Sequence, residues 1–140
     1  MFRLISLLIF TSFPLICLAG DKEEYGSIAG KFLGYCQGSQ YLKKDYCPNI
    51  SQMNLQECLD LATNQLPVRY REEFRSGMEK LVSEQIIIQQ SRGAIESNYL
   101  VTLKNYNGDS NTACKVWHGL VLQEQMDSTQ RLKDIARNMK

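Results

Sequence analysis

Four cysteines, Cys36, Cys47, Cys58 and Cys114, follow an amino-terminal stretch with the pattern of an export signal, and this pair of features constrains the fold most. "MFRLISLLIFTSFPLICLAG" carries one positive charge at Arg3, an apolar run from Leu4 to Leu18 interrupted by Pro14, and small residues at its end. That order is the three-part pattern of a secretory signal peptide. Cleavage after Ala19 would remove residues 1–19 and leave 20–140 as a single helical domain. The run is too short and broken to span a bilayer, which takes about 20 apolar residues. No membrane insertion is expected after cleavage, and the expected location is periplasmic or secreted. Lipid anchoring through Cys17 is a rival reading, opposed by the bulky Ile16 before it.

An even number of cysteines in an exported chain reads as two disulfides. Spacing alone leaves all three pairings open; the helix reading below suggests Cys36 with Cys58 and Cys47 with Cys114. A structural zinc needs close cysteine pairs and usually histidines. These cysteines are 11, 11 and 56 residues apart and the only histidine is His118, so no metal is expected.

Apolar residues recur at helical spacing along most of the chain, and only three prolines interrupt it. Asp21 and Glu24 resemble a capping box, followed by the stripe Tyr25, Ile28, Ala29, Phe32, Leu33 and Cys36. Residues 38–51 read as a loop, with Gly38 as helix stop; within it Asn49-Ile50-Ser51 is formally a glycosylation sequon as well as a turn and helix entry. Asn54 and Glu57 form a second capping pair ahead of Leu55, Cys58, Leu59, Ala62 and Leu66. Pro67 opens a long segment with Phe74, Met78, Leu81, Val82 and Ile88 on one side, which "SRG" at 91–93 could break. Asn107-Gly108 is a hairpin signal, so a short β-hairpin within 99–118 competes with helix–loop–helix. Helical spacing resumes at Ala113, Val116, Trp117 and Leu120, with Ser110 or Asn111 as cap, and runs on to Leu132, Ile135, Ala136 and Met139. The expected fold is all-α, with four or five helices and two disulfides.

One feature resists this pattern: Gly26, Gly30, Gly34 and Gly38 stand four apart on the first helix. Each glycine costs about 0.8–1 kcal/mol relative to alanine inside a helix. Gly26, Gly30 and Gly34 therefore suggest a close-approach face, filled either by the chain's own helix or by a partner.

Little in the chain suggests catalysis. His118 beside Trp117 could serve Cys114 as a base, but that needs a free thiol in an oxidising compartment and strands an odd cysteine. Arg69, Arg71, Glu72, Glu73 and Arg75 read as a solvated helix face. A phosphate-binding loop motif is absent and no cofactor is expected. Losing Arg3 balances the remaining charges, which argues against nucleic acid or an anionic membrane as the main partner. A non-enzymatic protein binder is the reading that survives, with Tyr41, Tyr46, Trp117 and His118 as candidate contacts.

"FLGYCQGSQYLKKDYCPNISQMNLQECLDLATNQLP" resembles the small periplasmic immunity proteins of the Rap/Tai type, which neutralise cell-wall amidase effectors delivered by type VI secretion. "NTACKVWHGLVLQEQMDSTQRL" is similar to another branch of those proteins. The chain departs from them in having Gln40 and Tyr41 where an aspartate is expected, and in its length beyond residue 80. The resemblance implies an inhibitor of a peptidoglycan hydrolase that plugs the enzyme's cleft with loops 39–51 and 105–111. The alternative is a periplasmic assembly factor, a pilotin or chaperone, holding a segment of a secretion or pilus machine in a helical groove.

Overall fold

A computed structural model describes the backbone of residues 2–84 and 86–139 and the side chains of 20–84 and 92–139. Arg3, Pro14, Cys17 and Ile88 lie outside the described side chains. Five helices form the described chain: α1 (Phe2–Asp45), α2 (Leu55–Asn64), α3 (Val68–Ser83), α4 (Ile86–Asn105) and α5 (Ser110–Asn138). Helix–turn–helix, not a β-hairpin, therefore occupies residues 99–118.

The apolar stripe of α1 organises the bundle. Tyr25, Ile28, Ala29, Phe32, Leu33 and Cys36 are all buried, and α2, α4 and α5 pack around this one helix. Burying a large apolar side chain is worth about 1.5–3 kcal/mol, so the stripe more than offsets the helix-weakening glycines. Two cores result. The first joins α1 to Leu59, Ala62 and Leu66, to Met78 and to Leu132 and Ile135; the second gathers Leu42, Ile95, Tyr99, Ala113, Trp117 and Val121. Each core holds one disulfide, Cys36–Cys58 with Cα atoms 6.6 Å apart and Cys47–Cys114 at 5.7 Å.

Gly38 does not end α1; it is where α4 crosses. A Cβ at Gly38 would lie 1.4 Å from Cδ1 and 2.7 Å from Cγ1 of Ile95. The helix runs on because Leu42, 1% exposed, is buried in the second core, and Lys43 and Lys44 in the last turn suit the negative end of the helix dipole. Residues 39–45 are thus helical where a loop was expected, and the connection is confined to 46–54. At the other end, Asp21 and Glu24 lie inside α1, which begins at Phe2 in the uncleaved chain.

Gly26 and Gly30 give the opposite result to Gly38. Nothing comes within 4 Å of a Cβ built on either, so the close-approach face is not filled there by the chain's own helices. Gly34 is half-buried.

Local signals explain the other boundaries. Asn54 Oδ1 accepts from the Glu57 N–H at 2.8 Å and its amide donates to the Glu57 carboxylate at 2.7 Å, capping α2 as expected. Pro67 stands at the N-cap of α3. Arg69, Glu72 and Glu73 are exposed, as expected of a solvated face, and Arg75 lies 3.9 Å from Glu79 one turn on. Arg71 and Arg75 also tie α3 back toward α2, Arg71 donating to the carbonyls of Leu66 and Asn64 and Arg75 to Asp60 at 2.6 Å. α3 ends at Ser83, whose hydroxyl donates to the Lys80 carbonyl, while α4 passes unbroken through 91–93. After α4, Asn107 (φ 56°) takes the left-handed conformation, with Gly108 N–H on Leu103 O and Asn107 N–H on Lys104 O; this is a Schellman stop. The cap of α5 is Asp109, not Ser110 or Asn111: its carboxylate accepts from the Thr112 N–H and hydroxyl, which holds it below its usual pKa.

Three outcomes follow in denaturant titrations. Gly38→Ala destabilises by about 1–2 kcal/mol through overpacking against Ile95, whereas Gly26→Ala and Gly30→Ala each stabilise by up to about 1 kcal/mol; equal effects at all three sites would refute the crossing argument. By loop entropy, replacing Cys36 and Cys58 by alanine costs about 3 kcal/mol and replacing Cys47 and Cys114 about 4 kcal/mol, for separations of 22 and 67 residues. Tyr25 is buried and its hydroxyl donates to Ala62 O. Burial raises its pKa above the ordinary 10.0, so it stabilises the fold fully below pH 10 and stability falls as pH rises further. Tyr25→Phe costs about 1 kcal/mol at neutral pH and makes that alkaline fall shallower.

Candidate functional site

The two segments expected to contact a partner meet at one end of the bundle. Cys47 leaves α1 through N–H bonds of Tyr46 and Cys47 to Leu42 O, and Pro48 prevents the helix from continuing. Cys114, in the second turn of α5, reaches across to Cys47 and fixes segment 46–54 beside the turn that links α4 to α5. Between them lies a cleft of about 520 Å³, walled by Tyr46–Ile50 on one side and Ser110, Asn111 and Lys115 on the other. Tyr106, 41% exposed, stands on the adjoining turn.

The edge is rigid on the α1 side. Tyr46 stacks on Tyr99 with ring centroids 4.7 Å apart, and its hydroxyl donates to Glu96 at 2.9 Å, a bond that raises the phenol's pKa. Tyr41 is on α1, half-buried, with the Arg92 guanidinium 4.9 Å from its ring. Exposed Lys43, Lys44 and Lys104 lie in the last turns of α1 and α4 and hold no ion pair among the described residues. With Lys115 they outnumber the carboxylates of this end, Asp45 beside Arg92, Glu96 on Tyr46 and Asp109 at the α5 cap.

Trp117 and His118 do not join this edge. Trp117 is 6% exposed and packs in the second core. His118 is half-buried, and its Nε2 is buried without a hydrogen-bond partner among the described residues. Cys114 is oxidised, so no thiol faces His118 to be activated.

A second feature escaped the sequence. Leu120 fits the helical apolar spacing of α5 yet is 61% exposed, and with Val101, 57% exposed, it borders a groove of about 310 Å³ between α4 and α5. Tyr35 of α1 lines the groove, its phenol pKa raised by burial and by Glu124. Only the position of α4, set by the crossing at Gly38, reveals which side of α5 is left open.

Two intramolecular disulfides are compatible with a chain that works outside the cytoplasm. No described helix is long and apolar enough to cross a membrane. The chain matches no protein-family model, and neither curated proteins nor solved structures give a significant match.

Proposed function

We propose that this protein is an exported, non-enzymatic inhibitor that occludes a cell-envelope enzyme, a peptidoglycan hydrolase of the amidase class if the resemblance to Rap/Tai-type immunity proteins carries. The observation behind this reading is the convergence of residues 46–50 and the start of α5, Ser110, Asn111 and Lys115, on one disulfide-fixed cleft. An inhibitor must offer its contact loops already ordered, because ordering them on binding subtracts from affinity. The Cys47–Cys114 bond and the Tyr46–Tyr99 stack meet that need. Tyr106 supplies an exposed aromatic contact, and the surrounding lysines favour an acidic cleft.

The α4–α5 groove favours a second reading, an assembly factor that seats an amphipathic segment of a larger machine against Val101 and Leu120.

The oxidised protein, titrated into purified envelope amidases acting on peptidoglycan, is expected to block turnover at one-to-one stoichiometry. Combined Lys115→Glu and Tyr106→Ala, both at exposed side chains, should weaken inhibition by about tenfold or more, while Leu120→Asp leaves it unchanged. Loss of partner binding on Leu120→Asp alone would instead support the assembly reading. Full turnover of every amidase at saturating protein would remove the inhibitor reading.

A further inference from the structure

At the opposite end of the described part of α1 from segment 46–54, a cavity of about 190 Å³ opens between Lys22 and Tyr25 of α1 and Tyr70–Met78 of α3. Three rings wall it. Tyr25 and Phe74 meet edge to face at 5.3 Å, with the Tyr25 hydroxyl engaged by Ala62 O, and Tyr70 stands on the α3 side. The mouth is charged: Lys22 Nζ lies 3.9 Å from Glu73 Oε2 and 5.0 Å from the Tyr70 ring centroid, and the Arg69 guanidinium is 4.6 Å from the same ring. Both members of the Lys22–Glu73 pair are largely exposed, so the contact is loose and Lys22 can turn to another anion.

Gly77 sits in the interior of α3, exposed, and nothing comes within 4 Å of a Cβ built there. Gly20, Gly26, Gly30, Gly93 and Gly119 are open in the same way, and Gly77 differs from them in its place in the cavity wall. A larger side chain at this position would fill the opening.

A cavity of about 150 Å³ lined by apolar side chains is large enough to take benzene. We propose that this cavity binds a single-ring aromatic carboxylate, its ring among Tyr25, Tyr70 and Phe74 and its carboxylate at Lys22. Lys22 is the one cation among the described lining residues, and it can turn from the more exposed Glu73 to the ligand's carboxylate. Arg69 stands outside the lining, its guanidinium donating to the Tyr70 hydroxyl at 2.6 Å. Occupancy here and docking at the far end are separable, because the two sites share no residue.

The test is an amide-resolved NMR titration of the disulfide-bonded chain with phenylacetate and, in parallel, phenethylamine. Phenylacetate should produce saturable shifts at the cavity residues in the millimolar range and bind about threefold tighter than the amine, the scale of an exposed ion pair. Lys22→Gln should abolish that preference while ring binding persists. Gly77→Leu should weaken both ligands by about tenfold; an open site and leucine's helix propensity keep this variant folded, which its amide spectrum verifies. The proposal is overturned by shifts that fail to saturate at about 10 mM phenylacetate, by equal binding of the amine to the wild-type chain, or by a folded Gly77→Leu variant that binds unchanged.

Discussion

The fold depends on one close approach. Where α4 crosses α1, the Ile95 side chain occupies the space a Cβ of residue 38 would need. Without that contact α4 would stand off from α1, and Tyr99 could not stack on Tyr46 or share a core with Leu42 and Trp117. The second core carries the Cys47–Cys114 bond, and that bond holds the loop end. A single missing methyl group therefore links helix packing to the surface proposed to meet a partner. Interiors packed to crystal-like density transmit a change of this size instead of absorbing it.

Much of this was legible in the sequence, and the exceptions share a cause. The α1 stripe, the Asn54–Glu57 cap, Pro67 and the apolar face of α2 are local patterns, and each matches the structure because side chains a turn apart decide it. Residues 38–45 carry the composition of a loop, yet burial of Leu42 against distant Ile95 and Trp117 holds them helical. Tertiary burial outweighs intrinsic propensities of a few tenths of a kcal/mol per residue. The α3–α4 boundary was misplaced for a related reason: "SEQIII" contains no glycine or proline, and the α3 end is set by the Ser83 hydroxyl on Lys80 O. The site divides the same way. The Cys47–Cys114 pairing ties the loop after α1 to the last helix, whereas the exposure of Leu120 depends on where a non-neighbouring helix lies.

The two disulfides differ in what they constrain. Cys36–Cys58 lies entirely inside the first core, where apolar packing from four helices already specifies the arrangement. Cys47–Cys114 ties a nine-residue connection, 46–54, to α5 at a place with few other packed side chains, namely Tyr46 and Ile50 against the second core and Met53 against the first. Its larger separation, 67 residues against 22, also removes more entropy from the unfolded chain. The bond that contributes more to stability is thus also the one that preorganises the surface, so loop rigidity does not compete with folding here.

The glycines, finally, do not form one functional ladder. Gly38 is required by packing and Gly108 by its backbone, with φ at 80°. Gly26, Gly30 and Gly77 have ordinary helical backbone and open space beside them, so neither requirement applies. Gly20, Gly93 and Gly119 share this open setting, so open space beside a helical glycine does not by itself mark a site. For Gly77 a ring-walled cavity stands directly beside it. Gly26 and Gly30 have no such neighbour, and their regular spacing, the most conspicuous pattern in the sequence, carries less functional information than the single glycine of α3.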